Sequence, residues 1–194
     1  KTIGSMGEHL ASSVGKWFSK EFNMKDKSVI NTYFQTETGG VMCSPTYKDN
    51  IKDVPIGSIG KPLKGVKLSI KKFSNKENKK KGEVRIDKPW PGCMTNIINS
   101  KKIFKSYWDK SKRFRMYDYG SLDKNNNLNV HGRVDDVISI SGHRIGTEEI
   151  ESCCLELKEI LESCAVSIKD DLSGEKLYLF VKTKYPSNKL LKNI

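Results

Sequence analysis

The pattern of hydrophobic positions predicts a helix, a strand and a polar turn at the start of the chain. Residues 8–22 predict an amphipathic helix, because apolar residues recur there at helical spacing. These residues are Leu10, Val14, Trp17 and Phe18. Residues 29–34 are β-branched or aromatic and predict a strand, and residues 35–40 predict a turn. This order is typical of an α/β sheet, in which ligands bind beyond the carboxyl ends of the strands.

From about residue 55 the pattern changes to short apolar segments separated by glycine and proline. Segments 66–70 and 83–86 predict strands, and the turn spacing predicts a small all-β subdomain. The lysine-rich run 71–81 has no helical periodicity, so we expect a solvated loop between two strands.

After Gly132 the pattern predicts a third, α+β unit. Residues 137–140 predict a strand, and Thr147 is the expected N-cap of a helix with Glu148 and Glu149 in its first turn. The expected apolar face of that helix is Ile150, Cys154, Leu157 and Leu161. Further strands are predicted at 164–168 and 177–182, with a turn at 173–174.

These three patterns define the predicted fold class and domain organisation. We expect an α/β edge over residues 1–54, a β-rich subdomain over 55–134 and a small α+β C-terminal domain over 135–194. The family resemblance described below further implies that residues 1–134 form the C-terminal part of a larger domain and that residues 135–194 form a truncated one.

Composition changes this picture little. The net charge of +12 looks like a nucleic-acid signal, but residues 61–115 alone carry +14 and the remainder −2. A groove for single strands needs aromatic residues among the charges, and the densest run offers Phe73 alone. The five cysteines and three histidines have no disulfide or zinc spacing. No apolar run is long enough for a bilayer, so we expect a cytoplasmic protein, with the nucleus as an alternative.

Three polar clusters carry candidate chemistry. Residues 33–40 offer an aromatic face, a hydroxyl and a carboxylate, which suit a base, a phosphate and a hard cation. Asp118 can accept both hydrogen bonds of a ribose diol, and Arg133 can pair with phosphate or ribose oxygens. Residues 132–146 join charged residues, a short strand and a glycine turn. Taken singly, each cluster is equally explained as an ordinary turn or charged surface.

The order and spacing of the clusters resemble the acyl-CoA synthetase superfamily of adenylate-forming enzymes, most closely its acetyl-CoA synthetases. The matching stretches are GSMGE at 4–8, QTETGG at 35–40, WPG at 90–92 and GRVDDVISISGHRIGTEEIES at 132–152. The last run is highly specific, and the resemblance covers nearly the whole chain. In that family the ribose-binding aspartate lies fourteen residues before the glycine of the G-R motif, which is the position of Asp118.

The resemblance implies a nucleotide site built from all three clusters. Its residues would be Gly7, Glu8, Asn31, Thr32, Tyr33, Gln35, Thr36, Asp118, Arg133 and Arg144. Tyr33 would stack on adenine, and Asp118 and Arg133 would bind the ribose.

The resemblance also implies catalytic and conformational roles. Thr36 and Arg144 would bind the α-phosphate and Glu37 would help to hold Mg²⁺, which makes these three the expected catalytic residues. Further roles would fall to Phe34 in the acyl pocket, Ser141 and Gly142 on the CoA path, and Asp135 at the hinge of the small domain.

The implied reaction joins acetate to ATP, forming acetyl-adenylate and pyrophosphate, after which CoA displaces AMP. Mg²⁺ would be the cofactor, with ATP and CoA as co-substrates. The family's phosphate loop and its C-terminal catalytic lysine do not occur in the 194 residues. We therefore expect the C-terminal part of such an enzyme, without activity of its own.

Two alternatives remain open at this stage. The family usually has two tryptophans where this chain has Tyr33 and Phe34, so propionate or another short acid is an alternative to acetate. An inactive nucleotide-binding module or a basic RNA-binding module is the alternative from another class. The sequence leaves the oligomeric state open.

Overall fold

A computed structural model of the chain describes residues 2–24, 29–46, 53–73, 80–140, 143–171, 174–184 and 186. Within these ranges, short strands outnumber helices. The strands form one parallel pair near the N-terminus, two antiparallel pairs in the C-terminal region and one central four-stranded sheet.

The N-terminal segment is a parallel βαβ unit. Strand β1 (Ile3–Ser5) pairs with β2 (Val29–Asn31), and helix α1 (Ser12–Glu21) lies on the connection between them. Parallel strands require a crossover of this kind. The helix is shorter than the predicted 8–22, since the backbone is still non-helical at Ala11, with φ −58° and ψ 137°.

The buried face of α1 differs from the predicted one. Gly15 is buried, whereas Val14 and Trp17 are 40% and 54% exposed. A Cβ atom on Gly15 would lie 2.3 Å from Ile56 Cγ2. The close approach of α1 to Ile56 therefore depends on a residue without a side chain, which hydrophobic periodicity cannot detect.

Strand β2 ends at Asn31, earlier than the predicted end at Phe34. Tyr33 forms an isolated antiparallel bridge with Cys43. The expected turn contains a 3₁₀ helix, Thr36–Thr38. The chain therefore leaves regular strand geometry at Tyr33, Phe34 and Gln35, which line the candidate site.

The central sheet has the strand order β3-β4-β5-β6 and is antiparallel throughout. Its strands are β3 (Leu68–Lys71), β4 (Lys81–Ile86), β5 (Phe114–Leu122) and β6 (Leu128–Arg133). The lysine-rich run connects β3 to β4 as predicted, and residues 74–79 lie outside the described residues. Fully buried side chains form the main core, including Val84, Ile86, Phe114, Met116 and Leu128.

Helix α2 (Lys101–Ser106) lies in the connection between β4 and β5, so the prediction of an all-β subdomain was wrong at this point. Its N-cap is Ser100, whose Oγ accepts a hydrogen bond from the Ile103 amide at 3.4 Å. The helix has no buried residue, and Ile103 is 52% exposed. A helix without a buried stripe leaves no hydrophobic period in the sequence.

The C-terminal region combines two hairpins with a helix, in agreement with the predicted α+β character. Strand β7 (Ile138–Ile140) pairs with β8 (His143–Ile145), and β9 (Ile160–Asp170) pairs with β10 (Gly174–Thr183). Between the hairpins lies helix α3 (Thr147–Cys154). Of the predicted turn at 173–174, Ser173 lies outside the described residues.

Helix α3 starts against strand β6. Its N-cap is Gly146, which corrects the expected N-cap Thr147, and Glu148 and Glu149 occupy the first turn as predicted. A Cβ atom on Gly146 would lie 1.9 Å from the His131 carbonyl oxygen. A residue with a side chain cannot take this cap position without separating α3 from β6.

The predicted apolar face of α3 was wrong beyond Cys154, where the helix ends. Leu157 packs after the helix against the small cluster of Cys154 and Ile160. Leu161 belongs to β9 and is 44% exposed. The helical spacing of these leucines was fortuitous, because a turn and a strand follow the helix at once.

The structure bears on several of the general expectations from the sequence. The mixed α and β fold class is confirmed, whereas the domain limits 1–54, 55–134 and 135–194 stay predictions. Among the described residues, no helix has the length and apolar character that a membrane crossing requires. All five cysteines are free thiols, and Cys43 and Cys154 are buried.

Candidate functional site

Most residues of the predicted nucleotide site surround one cavity of about 330 Å³, a size at the lower end of small-molecule pockets. The predicted residues that line it are Gly7, Glu8, Asn31, Thr32, Tyr33, Phe34, Gln35, Asp118 and Arg133. Sequence reasoning did not assign the remaining lining residues, His9, Ile59, Val130, Gly132 and Glu148, to a site.

Strand pairing explains the spacing between the aspartate and the G-R motif. Asp118 on β5 stands opposite Arg133 on β6 in the antiparallel register. The end of β2 and the segment that follows β1 supply the other walls, because these two strands run parallel and end together. Residues distant in the sequence thus meet where three strands end.

Asp118 is the centre of a hydrogen-bond network in the cavity wall. Its Oδ2 accepts hydrogen bonds from the Tyr33 hydroxyl and from Gln35 Nε2, the latter at 2.7 Å. Its Oδ1 accepts a hydrogen bond from Arg133 Nη1 at 2.9 Å. The Asp118 side chain is 8% exposed and that of Arg133 47%. The pair therefore joins a buried carboxylate to a guanidinium that still reaches solvent.

Burial and hydrogen bonding act in opposite directions on Asp118. Burial raises the pKa of Asp118, while the hydrogen bond from Tyr33 and the charge of Arg133 partly offset this effect. Burial and the nearby Asp118 carboxylate also raise the pKa of Tyr33 well above its usual value, so its hydroxyl stays a donor. A carboxylate offers about four acceptor positions. Three are occupied, so a ribose diol would displace one donor when it binds through both hydroxyls.

Asn31 and Thr32 lie in the wall but use their side chains to hold the backbone. Asn31 is buried and its Nδ2 donates to the Gly57 carbonyl oxygen at 3.0 Å. Thr32 Oγ1 donates to the Ser5 carbonyl oxygen at 3.1 Å, and this bond ties β2 to the end of β1. These two side chains therefore stabilise the backbone that forms the cavity wall.

The two aromatic residues of the wall have different environments. Tyr33 is 8% exposed and belongs to the main core, so little of its ring faces the cavity. Phe34 is 38% exposed and offers an accessible apolar surface to a ligand. Sequence reasoning gave both rings a ligand, whereas burial favours a structural part for the Tyr33 ring and a contact role for Phe34.

Thr36 and Glu37 lie in the 3₁₀ helix directly after the cavity wall and do not line the cavity itself. Glu37 Oε1 accepts a hydrogen bond from the Tyr107 hydroxyl at 2.8 Å. Burial, and then this bond, raise the pKa of Tyr107 to about 12, so it remains a donor at neutral pH. The sequence contained no signal for Tyr107, which lies after the unpredicted helix α2.

The surroundings of Glu37 fit a magnesium ion that arrives with phosphates. No cluster of three or more His, Cys, Asp or Glu side chains suited to a metal occurs among the described residues. Mg²⁺ often binds proteins through one or two carboxylates, with substrate phosphates and water as the other ligands. A single carboxylate with one oxygen fixed by Tyr107 meets this requirement.

Arg144 and Asp135 are not among the residues that line the cavity. The guanidinium carbon of Arg144 lies 4.3 Å from the centre of the Phe73 ring, a cation–π arrangement. Asp135 follows β6, and its side chain is 78% exposed. Its Oδ1 lies 3.8 Å from Arg133 Nε. Ser141 and Gly142 lie outside the described residues.

The most evident omission from the sequence prediction is the pair of His9 and Glu148. Glu148 Oε2 lies 3.3 Å from His9 Nδ1 but without hydrogen-bond geometry, and His9 Nε2 lies 3.1 Å from Ser152 Oγ. Burial, followed by the charges of Glu151 and Glu8, raises the pKa of Glu148 to about 7. Helix α3 therefore contacts the segment after β1 through partners from opposite ends of the chain, which no local pattern reveals.

A second, larger depression of about 650 Å³ lies near Asp53, Lys61 and Asp123. Asp123 Oδ1 already accepts hydrogen bonds from the amides of Asn125 and Asn127, both at 2.8 Å. Among the described residues that line this depression, none is aromatic. The smaller cavity is therefore the better candidate site, since its described lining combines aromatic, acidic and basic groups.

Solved structures of other proteins share the fold of this chain. An ATP-bound chimera described as RpMatB-BxBclM aligns with 98% of this chain at a TM-score of 0.81 and 22% identity, over 38% of its own length. The anthranilate CoA ligase AuaEII, solved with anthranoyl-AMP, aligns with 98% of this chain at a TM-score of 0.80 and 18% identity, over 36% of its length. The chain thus has the fold of a part of the adenylate-forming ligases.

Curated sequences narrow the class further. Acetyl-coenzyme A synthetase of Campylobacter jejuni is 34% identical over 189 residues, which is 93% of this chain and 28% of the relative. The enzyme of the same name from Leptospira biflexa is 32% identical over 99% of this chain and 30% of the relative. The chain therefore spans less than a third of the length of these relatives.

A family model described as AMP-binding enzyme matches residues 1–96. Residues 1–96 thus match that family, and the chain is similar to acetyl-coenzyme A synthetases over nearly its whole length. The resemblance predicted from the sequence motifs is confirmed.

Proposed function

We propose that the chain is part of an AMP-forming acetate–CoA ligase and forms the adenosine-binding wall of its active site. The observation that supports this proposal most strongly is the Asp118 network, in which Tyr33, Gln35 and Arg133 orient a carboxylate at the cavity wall. The similarity to acetyl-coenzyme A synthetases supports a ribose as the partner of this carboxylate.

The charges of the cavity suit a nucleoside better than a phosphate. Three carboxylates line it, from Glu8, Asp118 and Glu148, against one arginine. Carboxylates accept hydrogen bonds from ribose hydroxyls and from the amino group of adenine, but they repel phosphates. We therefore place the nucleoside in the cavity and the phosphates toward the 3₁₀ helix of Thr36 and Glu37.

In this arrangement Thr36 and Glu37 act at the α-phosphate during adenylate formation. The Thr36 hydroxyl would donate to a phosphate oxygen, and Glu37 would hold Mg²⁺, which neutralises phosphate charge when it is bound. The acetate oxygen attacks the α-phosphorus and pyrophosphate leaves. The CoA sulfur then attacks the acetyl carbonyl carbon and AMP leaves.

Rotation of the C-terminal region would explain the present position of Arg144. Arg144 does not line the cavity and lies over the Phe73 ring, which supports the proposal that it reaches a phosphate only in another arrangement of residues 135–194. Asp135 is exposed and follows the last strand of the central sheet, a position suited to a hinge. We propose Asp135 as that hinge, and Ser141 and Gly142 as part of the CoA path. A cytoplasmic location remains a prediction from the sequence.

The acyl preference can be tested with adenylate analogues in which a sulfamate replaces the phosphate. We expect the chain to bind the acetyl analogue with one saturable site and AMP to compete for it. Phe34→Ala should favour longer acyl groups over acetyl by tens-fold, because a methylene is worth about 1–3 kcal/mol in an apolar pocket. The matched control is Phe22→Ala, since Phe22 is the C-cap of α1, is 51% exposed and does not line the cavity.

Several outcomes would contradict the proposal. It is contradicted if AMP fails to displace the analogue, or if the two phenylalanine variants show the same acyl profile. Binding to single-stranded RNA that weakens by orders of magnitude with added salt would favour the basic RNA-binding alternative. Tighter binding of the propionyl analogue than of the acetyl analogue by the native chain would favour a propionate enzyme.

A further inference from the structure

Tyr107 contacts the expected metal-binding carboxylate from a distant part of the chain. It follows helix α2, seventy residues after Glu37, and its hydroxyl donates to Glu37 Oε1 at 2.8 Å. Among the described residues, no other hydrogen bond to this carboxylate occurs. Tyr107 therefore leaves Oε2 as the oxygen that can take a further partner.

The tyrosine is itself held in place by packing on strand β5. Its carbonyl oxygen accepts a hydrogen bond from the Arg115 amide at 2.7 Å. Its ring stacks on the fully buried Phe114 ring, with centroids 5.4 Å apart, and meets the Tyr117 ring edge to face at 5.3 Å. A ring fixed on two sides presents its hydroxyl at a defined position.

Other contacts hold the 3₁₀ helix but not the carboxylate. The Met94 amide donates to the Glu37 carbonyl oxygen at 3.2 Å, and Trp90 Nε1 donates to the Thr38 carbonyl oxygen at 2.7 Å. These bonds fix the backbone around Glu37. The Tyr107 hydroxyl is thus the group that restricts the side-chain rotamer.

We propose that Tyr107 is a positioning residue that orients the Glu37 carboxylate toward the metal of an incoming metal–nucleoside triphosphate. The inference rests on the proposed function, which gives Glu37 its metal. Hydrogen-bond partners of metal ligands restrict ligand orientation, and their loss typically lowers metal affinity or activity by 10- to 100-fold.

The test compares ATP affinity with Mg²⁺ and with a chelator, by calorimetry on the 194-residue chain. The ratio of the two dissociation constants measures the gain in affinity that the metal provides. Tyr107→Phe should reduce this gain by about 10-fold. Tyr117→Phe is the matched control, because its hydroxyl donates to the Ser106 carbonyl oxygen and not to Glu37. AMP affinity without metal should be unchanged in both variants.

Glu37→Gln separates the two levels of the argument. This variant should lose the metal-dependent gain altogether. If Glu37→Gln loses the gain but Tyr107→Phe retains it, or Tyr117→Phe loses it equally, the positioning role is refuted and the proposed function stands. If the native chain shows no gain, or Glu37→Gln retains it, the metal assignment fails and the role of Tyr107 fails with it.

Discussion

Replacement of Tyr33 by phenylalanine tests the hydrogen-bond network of the cavity wall. The change keeps the ring in the main core and removes the hydroxyl that donates to Asp118 Oδ2. Because Asp118 is 6% exposed, water cannot easily replace the lost donor. Gln35 and Arg133 keep their bonds to the carboxylate, so the variant isolates one interaction.

The expected loss follows from the charge of the acceptor. A hydrogen bond to a charged group contributes about 1.5–3 kcal/mol to stability. For a chain of this size, about 2 kcal/mol corresponds to a decrease of about 4–8 °C in the melting temperature. Tyr178→Phe is the control, since Tyr178 is 41% exposed on β10. It should change the melting temperature by less than about 2 °C.

The effect of pH gives this prediction a second readout. Burial raises the pKa of Asp118 and the Tyr33 bond lowers it, so Tyr33→Phe should raise it further. A raised carboxyl pKa means that ionisation costs the folded state more than the unfolded state. The deficit of the variant should therefore be complete at neutral pH and shrink once the pH falls below the pKa of Asp118. Equal losses in Tyr33→Phe and Tyr178→Phe, or a deficit independent of pH, would refute the reasoning.

Three further predictions concern the joint between α3 and the central sheet. Gly146→Ala should destabilise the chain by at least about 2 kcal/mol, because its Cβ would lie 1.9 Å from the His131 carbonyl oxygen; urea unfolding should show almost no change for Gly4→Ala, whose Cβ meets nothing within 4 Å. Burial lowers the pKa of His131 from 6.5 to about 4, so this residue destabilises the folded chain as the pH falls through that window; the urea midpoint of His131→Asn relative to the native chain should therefore rise as the pH falls from 6.5 to 4. Burial raises the pKa of Glu148 from 4.5 to about 7, so this residue acts in the opposite direction over nearly the same range; the urea midpoint of Glu148→Gln relative to the native chain should rise as the pH rises from 4.5 to 7, whereas that of Glu149→Gln, which loses the Lys81 pair at 2.9 Å, should not. Midpoints that do not separate within each pair of variants would contradict the corresponding assignment.

Among the described residues, hydrophobic periodicity located six of the ten strands and two of the three α-helices, and it missed β1, β5, β6 and β8. It failed for α2, which buries no residue, and for Gly15, whose contact depends on the absence of a side chain. It also could not foresee the buried pair of Glu83 and Arg85 in the central sheet, 1% and 2% exposed. Charged residues count as exposed in any pattern of polarity, unless their partners are known.

The candidate site shows the same division. Asp118 is an ordinary loop aspartate by its own sequence context, and only its spacing to the G-R motif indicated a ribose partner. The structure explains that spacing through the register of β5 and β6. His9 and Tyr107 gave no signal, because their partners lie far away in the sequence and no motif connects them.

The central claim is that Asp118 binds the ribose of a nucleotide in this cavity. The most direct test compares AMP with 2′,3′-dideoxy-AMP in calorimetric titrations of the native chain and of Asp118→Ala. The native chain should bind AMP about 10- to 100-fold more tightly than the dideoxy analogue, since hydrogen bonds to a charged acceptor contribute about 1.5–3 kcal/mol. In Asp118→Ala the two affinities should become similar. Equal affinities in the native chain, or a preference that survives in Asp118→Ala, would contradict the assignment.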